Sequence, residues 1–175
     1  MTDKSLGLES GEVRIVPYDQ TWPALFQAER VAIDSVLKNF GVAATIEHIG
    51  STSVPRLAAK PILDMVVGVE DASLFTVAIT ALQETGYIYR GEQGIPGRHF
   101  FRRGVPRQHH VHLVVRDSDL WCDYLAFRNH LRAHPDEARA YADLKHALAA
   151  RFPRDRESYI AGKAQFVARI LRSRD

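Results

Sequence analysis

The sequence predicts an α/β or α+β fold, a sheet flanked by an N-terminal helix and a C-terminal cluster of three helices. Three observations predict it. Residues 62–69 form a near-continuous apolar run, the pattern of a strand buried on both faces. Residues 21–40 carry apolar side chains at helical spacing. The last third of the chain holds three more helical stretches, punctuated by Pro135 and Pro153. Size agrees with one core: 175 residues, 46% hydrophobic and 25% charged, would give two domains each near the marginal limit. Residues 1–175 are therefore read as a single domain with a flexible start over 1–11.

Each element has its local reason. Residues 12–16, Glu-Val-Arg-Ile-Val, alternate and read as a short strand. Thr21 is placed to cap the helix over 21–40, and Pro23 is tolerated in its first turn. Residues 42–49 read as a strand, joined to the 62–69 strand by a loop rich in Gly, Ser, Thr and Pro. Residues 71–82 read as a helix, and 87–89, 99–103 and 110–115 as strands separated by turns containing glycine and proline. Helices over 118–133, 135–152 and 156–172 complete the pattern. No repeat, linker or low-complexity segment marks a domain boundary.

Composition narrows the function. No stretch approaches the roughly 18 apolar residues of a membrane span, and the first residues lack a secretory pattern, so the expectation is a soluble cytoplasmic protein. A single cysteine, Cys122, permits neither an internal disulfide nor a cysteine-based zinc site. The net charge of +2 conceals an asymmetry: 7 Lys and Arg stand against 12 Asp and Glu before Arg98, and 16 against 9 from there on. A basic second half suits either a phosphate-bearing partner or a solvated helical surface. The interspersed acids and the absence of a nucleic-acid motif argue against nucleic acid. The sequence carries no signal of oligomeric state.

The most informative stretch runs from His48 to Asp64, His-Ile-Gly-Ser-Thr-Ser-Val-Pro-Arg-Leu-Ala-Ala-Lys-Pro-Ile-Leu-Asp. A strand ending in Gly50, followed by Ser51, Thr52 and Ser53, lets the backbone approach an anion while amides and hydroxyls point at it. Lys60 can add a cation and Asp64 a carboxylate for a divalent metal. Taken alone, the same run also fits an ordinary turn with a surface carboxylate, because it lacks the Walker pattern.

With the later segments His109-His-Val-His-Leu-Val-Val115 and Leu125 through Leu148, this stretch resembles the GrpB family, whose fold is that of the nucleotidyltransferases. The likeness covers nearly the whole chain, residues 13–171. It implies a nucleotidyltransferase-like mixed sheet and a pocket for a nucleotide or other phosphate-bearing small molecule. The wider superfamily places Gly-Ser at one strand end and acid-x-acid on the next strand, where paired carboxylates hold metals. Here Gly50, Ser51 and Asp64 match, but Ile62 stands where the first acid belongs. Arg56 also departs from the glycine favoured between Pro55 and Leu57. The resemblance therefore implies metal-dependent nucleotidyl transfer, with Asp64 and Lys60 as catalytic groups, or a degenerate nucleotide- or coenzyme-binding accessory domain. Fusion of relatives to dephospho-coenzyme A kinase accords with the second.

On the strand over 110–115, His110 and His112 project from one face. They are either hydrogen-bonded sheet residues or, with Asp64, ligands of a divalent ion (magnesium, manganese or zinc), the imidazoles favouring zinc or manganese over magnesium alone. Glu47 or His48 can complete the set, but adjacent strand residues face opposite ways. A third histidine is missing at Val114, so the histidine-triad hydrolases are a poor match, and three helices do not fit a cupin barrel.

Two lysines interrupt apolar helical stripes: Tyr159, Lys163, Phe166 and Ile170, and Tyr141, Lys145, Leu148 and Phe152. Such a lysine either snorkels outward or delivers its ammonium to an anion. Arg128 and Arg132 border the apolar face of Leu120, Tyr124, Phe127 and Leu131, either over a cleft as phosphate ligands or in surface pairs. The expected phosphate set is thus Gly50, Ser51, Thr52, Ser53, Arg128, Lys145 and Lys163. Trp22 and Phe26 read as core.

Overall fold

Residues 6–173 are described by the computed structural model. Helix α1 (Trp22–Asn39) buries Trp22, Phe26, Glu29, Ile33 and Leu37 at spacings of three and four. Thr21 was expected to cap it and makes no cap bond of its own. Instead its N–H and hydroxyl donate to Asp19 Oδ1 at 2.8 and 2.6 Å, so the carboxylate two residues earlier orders the entry.

Among the described residues five strands form one mixed sheet: β1 (Ala44–Ile49), β2 (Leu63–Val69), β3 (Ile88–Tyr89), β4 (His99–Arg103) and β5 (His109–Val115). Their order is β1-β2-β5-β4-β3, with β2 and β5 parallel and the other neighbours antiparallel. Helix α2 (Phe75–Glu84) follows a 3-10 turn over Ala72–Leu74, which Asp71 caps by accepting from the Ser73 N–H. Helices α3 (Asp119–Ala133), α4 (Pro135–Arg151) and α5 (Arg156–Arg172) complete the fold.

The alternation of β2 separates two layers. Met65, Val67 and Val69 join Ile46, Phe101, Val111 and Leu113 in the main core under α1 and α2. Val66 and Val114 face α3, packing with Ile49 and Trp121. Gly68 makes that second contact close: a Cβ there would lie 2.7 Å from a Trp121 ring carbon, so only glycine lets α3 seat on the strand. Val54, Leu57, Leu131, Tyr141 and Ile170 tie the loop between β1 and β2 to the C-terminal helices.

Two expectations are corrected. Residues 12–16 are not a strand; Val16 alone pairs, through an isolated bridge to Ala59, because the facing chain is loop and offers no ladder. The start is not loose from Leu6 onward. Leu6 and Leu8 are buried, Leu8 exchanges backbone bonds with Arg107 at 3.0 and 3.1 Å, and the Gly7 N–H donates to the Pro61 carbonyl at 2.8 Å. Residues 1–5 of that expected flexible start lie outside the described residues. No described helix is long and apolar enough to cross a membrane.

Candidate functional site

The site is built where β1 ends. Gly50 turns the chain with φ 69°, and a Cβ there would lie 3.0 Å from Asp64 Oδ2. Both the positive φ and the close approach to Asp64 demand glycine. The register sets Asp64 beside His110 and Val66 beside His112, which brings the carboxylate and both imidazoles to the α3 side of the sheet. His110 Nδ1 and His112 Nε2 lie 3.1 and 3.4 Å from Asp64 Oδ1. The far nitrogen of His112, Nδ1, is 3.2 Å from the Tyr124 hydroxyl. Burial lowers His110 to about 4, so its ring is neutral and donates to the carboxylate. Burial pushes Asp64 upward, but the hydrogen bonds from His110 and His112 outweigh it and hold the carboxyl well below its usual range.

Three lysines converge on the same space. Lys60 and Lys163 hold their ammonium groups 5.2 and 4.6 Å from the ring centroid of Tyr159. Lys145 is only 2% exposed and donates to Ser51 Oγ at 2.8 Å and to the Ala58 carbonyl. Among the described residues none of the three forms an ion pair. Burial and the nearby Lys163 lower Lys60 to about 7, and burial lowers Lys163 to about 8. Burial, Lys163 and Lys60 push Lys145 well below its ordinary value. The cavity they line measures about 220 Å³, with Ser51, Asp64 and Arg156 in the same wall. The Tyr159 hydroxyl, His110 Nε2 and Arg156 Nε, from residues of this wall, are buried without a hydrogen-bond partner among the described residues. Concentrated positive charge with unpaired polar groups is the electrostatic form of a polyanion site.

Of the residues the sequence singled out, Gly50, Ser51, Thr52, Lys60, Asp64, His110, His112, Lys145 and Lys163 meet in this cavity. Two do not. Arg128 Nη1 donates to Glu47 Oε2 at 2.7 Å and to the His48 carbonyl at 3.0 Å, pinning α3 to β1. Ser53 donates to the Gly50 carbonyl at 2.5 Å, while its own carbonyl accepts from Arg132 at 3.0 and 2.7 Å. Both line a separate cleft beside α1. The 3-10 turn over Ser51–Ser53 points successive side chains in different directions, which carries Ser53 out of the cavity. Thr52 stays in the wall, but its hydroxyl pairs with His48 Nε2 at 2.9 Å. His48 itself faces α1, stacked on Phe26 at 4.7 Å. Glu47 shares the face of Asp64 and is neutralised by Arg128. Arg56 is exposed at φ 66°, a left-handed conformation that explains a glycine preference there. Sequence reasoning missed Arg156 and the Tyr124 contact with His112. The spacing 156, 159, 163 was the available signal, since it places Arg156 on the stripe of Tyr159 and Lys163.

A family model described as GrpB protein matches residues 12–173. The chain belongs to the GrpB family. It is 42% identical over 169 residues to a UPF0157 protein of Pseudomonas aeruginosa, covering 93% of this chain and 68% of that one. Against the UPF0157 protein YqkA of Bacillus subtilis it is 38% identical, spanning 89% of this chain and 45% of that one. The crystal structure of GrpB from Enterococcus faecalis superposes with a TM-score of 0.82 at 37% identity, covering 91% of this chain and 96% of that one. The Cid1 poly(U) polymerase with MgGTP bound shares the fold at a TM-score of 0.52 and 15% identity, over 78% of this chain and 45% of that one. The GrpB chain thus has a nucleotidyltransferase-like fold.

The residues present decide whether the metal clamp implied by the resemblance can form here. Ile62, 2% exposed, occupies the place of the first acid, and both imidazoles spend a nitrogen on the same Asp64 oxygen. Among the described residues no group of three or more His, Cys, Asp or Glu side chains is arranged to hold a metal. One carboxylate cannot neutralise two divalent ions, so this GrpB site does not fit a paired-metal clamp.

Proposed function

We propose that this GrpB chain binds a phosphate-bearing small molecule, a nucleotide held by its polyphosphate, between the Gly50 turn and helices α4 and α5. The observation that carries the reading is the convergence of Lys60, Lys145 and Lys163 in one cavity, none of them in an ion pair among the described residues. Three buried or half-buried ammonium groups repel one another, and a polyphosphate converts that repulsion into charge-assisted hydrogen bonds. Ser51, Thr52 and the backbone after Gly50 complete the cradle. The lysines supply the positive charge that a metal pair supplies elsewhere in the superfamily, so no step here runs through a protein-held metal. A nucleotide ligand also accords with a cytoplasmic protein.

A second reading, nucleotidyl transfer, is favoured by one feature: Asp64 stands at the superfamily's second acid and is held ionised by two imidazoles. In that reading Asp64 and Lys60 face the reacting phosphate, Lys60 stabilising developing charge. Calorimetric titration with inorganic tripolyphosphate and with ATP, in chelator, tests the first reading. Both are expected to bind near pH 6, with affinity falling as pH rises through the range of about 7 to 8 where Lys60 and Lys163 lose their protons. Absence of binding by either polyphosphate at that pH refutes it. Release of pyrophosphate from ATP in the presence of a mixture of alcohols would carry the second reading, and binding without any turnover would remove it.

A further inference from the structure

A second group of cations stands beyond the lysine cavity, where β4 turns into β5. Arg107 lies in that turn, its backbone held by the two bonds to Leu8 at 3.0 and 3.1 Å. Its side chain is buried, with the residue only 7% exposed, and its Nε has no hydrogen-bond partner among the described residues. Arg102 is paired in register with His110, which puts its side chain on the sheet face of Asp64 and the two histidines. Neither arginine is in an ion pair among the described residues. Together with Ser10 they line a cleft of about 180 Å³. Arg103 also borders it but is spent on Glu29, at 2.5 Å, and the one acid of this wall, Glu9, is exposed and in no ion pair among the described residues. Burial, Arg156 and Arg102 lower the pKa of Arg107 against the opposing pull of Asp64. Beside the larger effect of burial, the charge of Arg107 in turn helps lower Lys60 and His110, both in the wall of the lysine cavity. Arg107 therefore stands between the two spaces.

We infer that this cleft is a second anion subsite, in which Arg102 and Arg107 hold the phosphate of a small-molecule monoester distinct from the polyphosphate of the lysine cavity. A guanidinium buried without a carboxylate is costly, and an oxyanion that accepts from it offsets the cost through charge-assisted bonds. Two guanidinium groups border one small space. A dianion with three free oxygens can accept from both, whereas a carboxylate is satisfied by a single guanidinium fork. The cleft has room for a phosphate and the first atoms of its ester, and a nucleic-acid strand would have to run past the Glu9 carboxylate. Phosphates in both spaces repel each other across Arg107, so each ligand is expected to weaken the other modestly. A role for the ester as the nucleotide's co-substrate rests on the nucleotide reading above; its binding in the cleft does not.

The test is calorimetric titration of the full chain with phenyl phosphate at about pH 6.5, where the ester is largely dianionic, with benzoate as the carboxylate counterpart. Phenyl phosphate is expected to bind at least about tenfold more tightly than benzoate, and to bind still, with Kd raised no more than about fivefold, when tripolyphosphate is saturating. Arg107→Met and Arg102→Met are each expected to weaken phenyl phosphate by about tenfold or more while leaving the tripolyphosphate Kd within about threefold. Lys163→Met is expected to do the reverse. Either arginine variant that keeps its thermal transition suffices. No binding of phenyl phosphate by wild type, equal binding of benzoate, complete displacement by tripolyphosphate, or an unmoved Kd in a folded arginine variant overturns the inference. So does a short single-stranded RNA without a terminal phosphate that binds more tightly and expels phenyl phosphate. Phenyl phosphate binding that depends on Arg107 in a chain that ignores tripolyphosphate leaves the cleft standing and removes the nucleotide reading.

Discussion

Replacing Lys163 by methionine should make the ligand-free protein more stable and its polyphosphate binding weaker. Lys60 and Lys163 both lie within about 5 Å of the Tyr159 ring centroid, so their ammonium groups are at most about 10 Å apart. At an effective dielectric of about 20, two unit charges at that separation repel by about 1.7 kcal/mol, and a shorter separation increases it. Methionine keeps the unbranched apolar stem against Tyr159 and removes the charge. The pH dependence has a definite sign. In the fold Lys60 and Lys163 lose their protons near 7 and 8, against an ordinary value of 10.5. Between those values the unfolded chain holds more protons, so wild-type stability rises with pH there, and the penalty is complete below about 7. Urea denaturation near pH 6 should therefore show Lys163→Met more stable by about 1.7 kcal/mol, a gain of roughly 3–7 °C in Tm for a domain of this size. The advantage should shrink by pH 9, where the wild-type lysines are largely neutral. With tripolyphosphate the order inverts, because loss of a charge-assisted contact of about 1.5–3 kcal/mol weakens Kd by roughly tenfold to a hundredfold. A variant that is less stable near pH 6, or equally stabilised at both pH values, would refute the account of mutually repelling lysines awaiting an anion.

Three other substitutions probe separate parts of the structure. Asp64→Asn, titrated with tripolyphosphate in chelator near pH 6, is expected to bind about fivefold more tightly, since an anion beside Lys60 and Lys163 is removed at a gain of about 1 kcal/mol; loss of binding would instead assign Asp64 a direct part in holding the phosphate. Gly68→Ala drives a Cβ into the Trp121 ring, at 2.7 Å before any shift. It should cost about 1–3 kcal/mol in denaturant unfolding and leave the tripolyphosphate Kd within twofold, because the strain falls between α3 and the distal end of β2. Arg128→Met breaks the 2.7 Å pair with Glu47, whose side chain is 37% exposed. Partial solvation reduces the expected loss to about 1–2 kcal/mol, and a tenfold weakening of tripolyphosphate binding would put Arg128 back in the site.

What the sequence determined by itself was local. Strand β2 was legible because its apolar run spans both faces, and the lysines of α4 and α5 stood out because each interrupts an apolar stripe. Gly50 and Asp64 could be paired as a site before any contact was known, since strand end, turn and returning strand are neighbours along the chain. The errors were local choices overruled by other partners, one of them two residues away and the others distant in sequence. Asp19 took the Thr21 donors, the facing loop gave residues 12–16 no ladder, and Leu6 docked under a segment about a hundred residues distant. Tertiary structure alone decided the fate of the cations. Arg128 met Glu47 across 81 positions and was neutralised, whereas Lys145 met Ser51 across 94 and gained no carboxylate partner among the described residues. Spacing fixes which face of an element a side chain occupies, but its charge state and availability depend on what packs opposite, and the fields of groups brought together by folding set both.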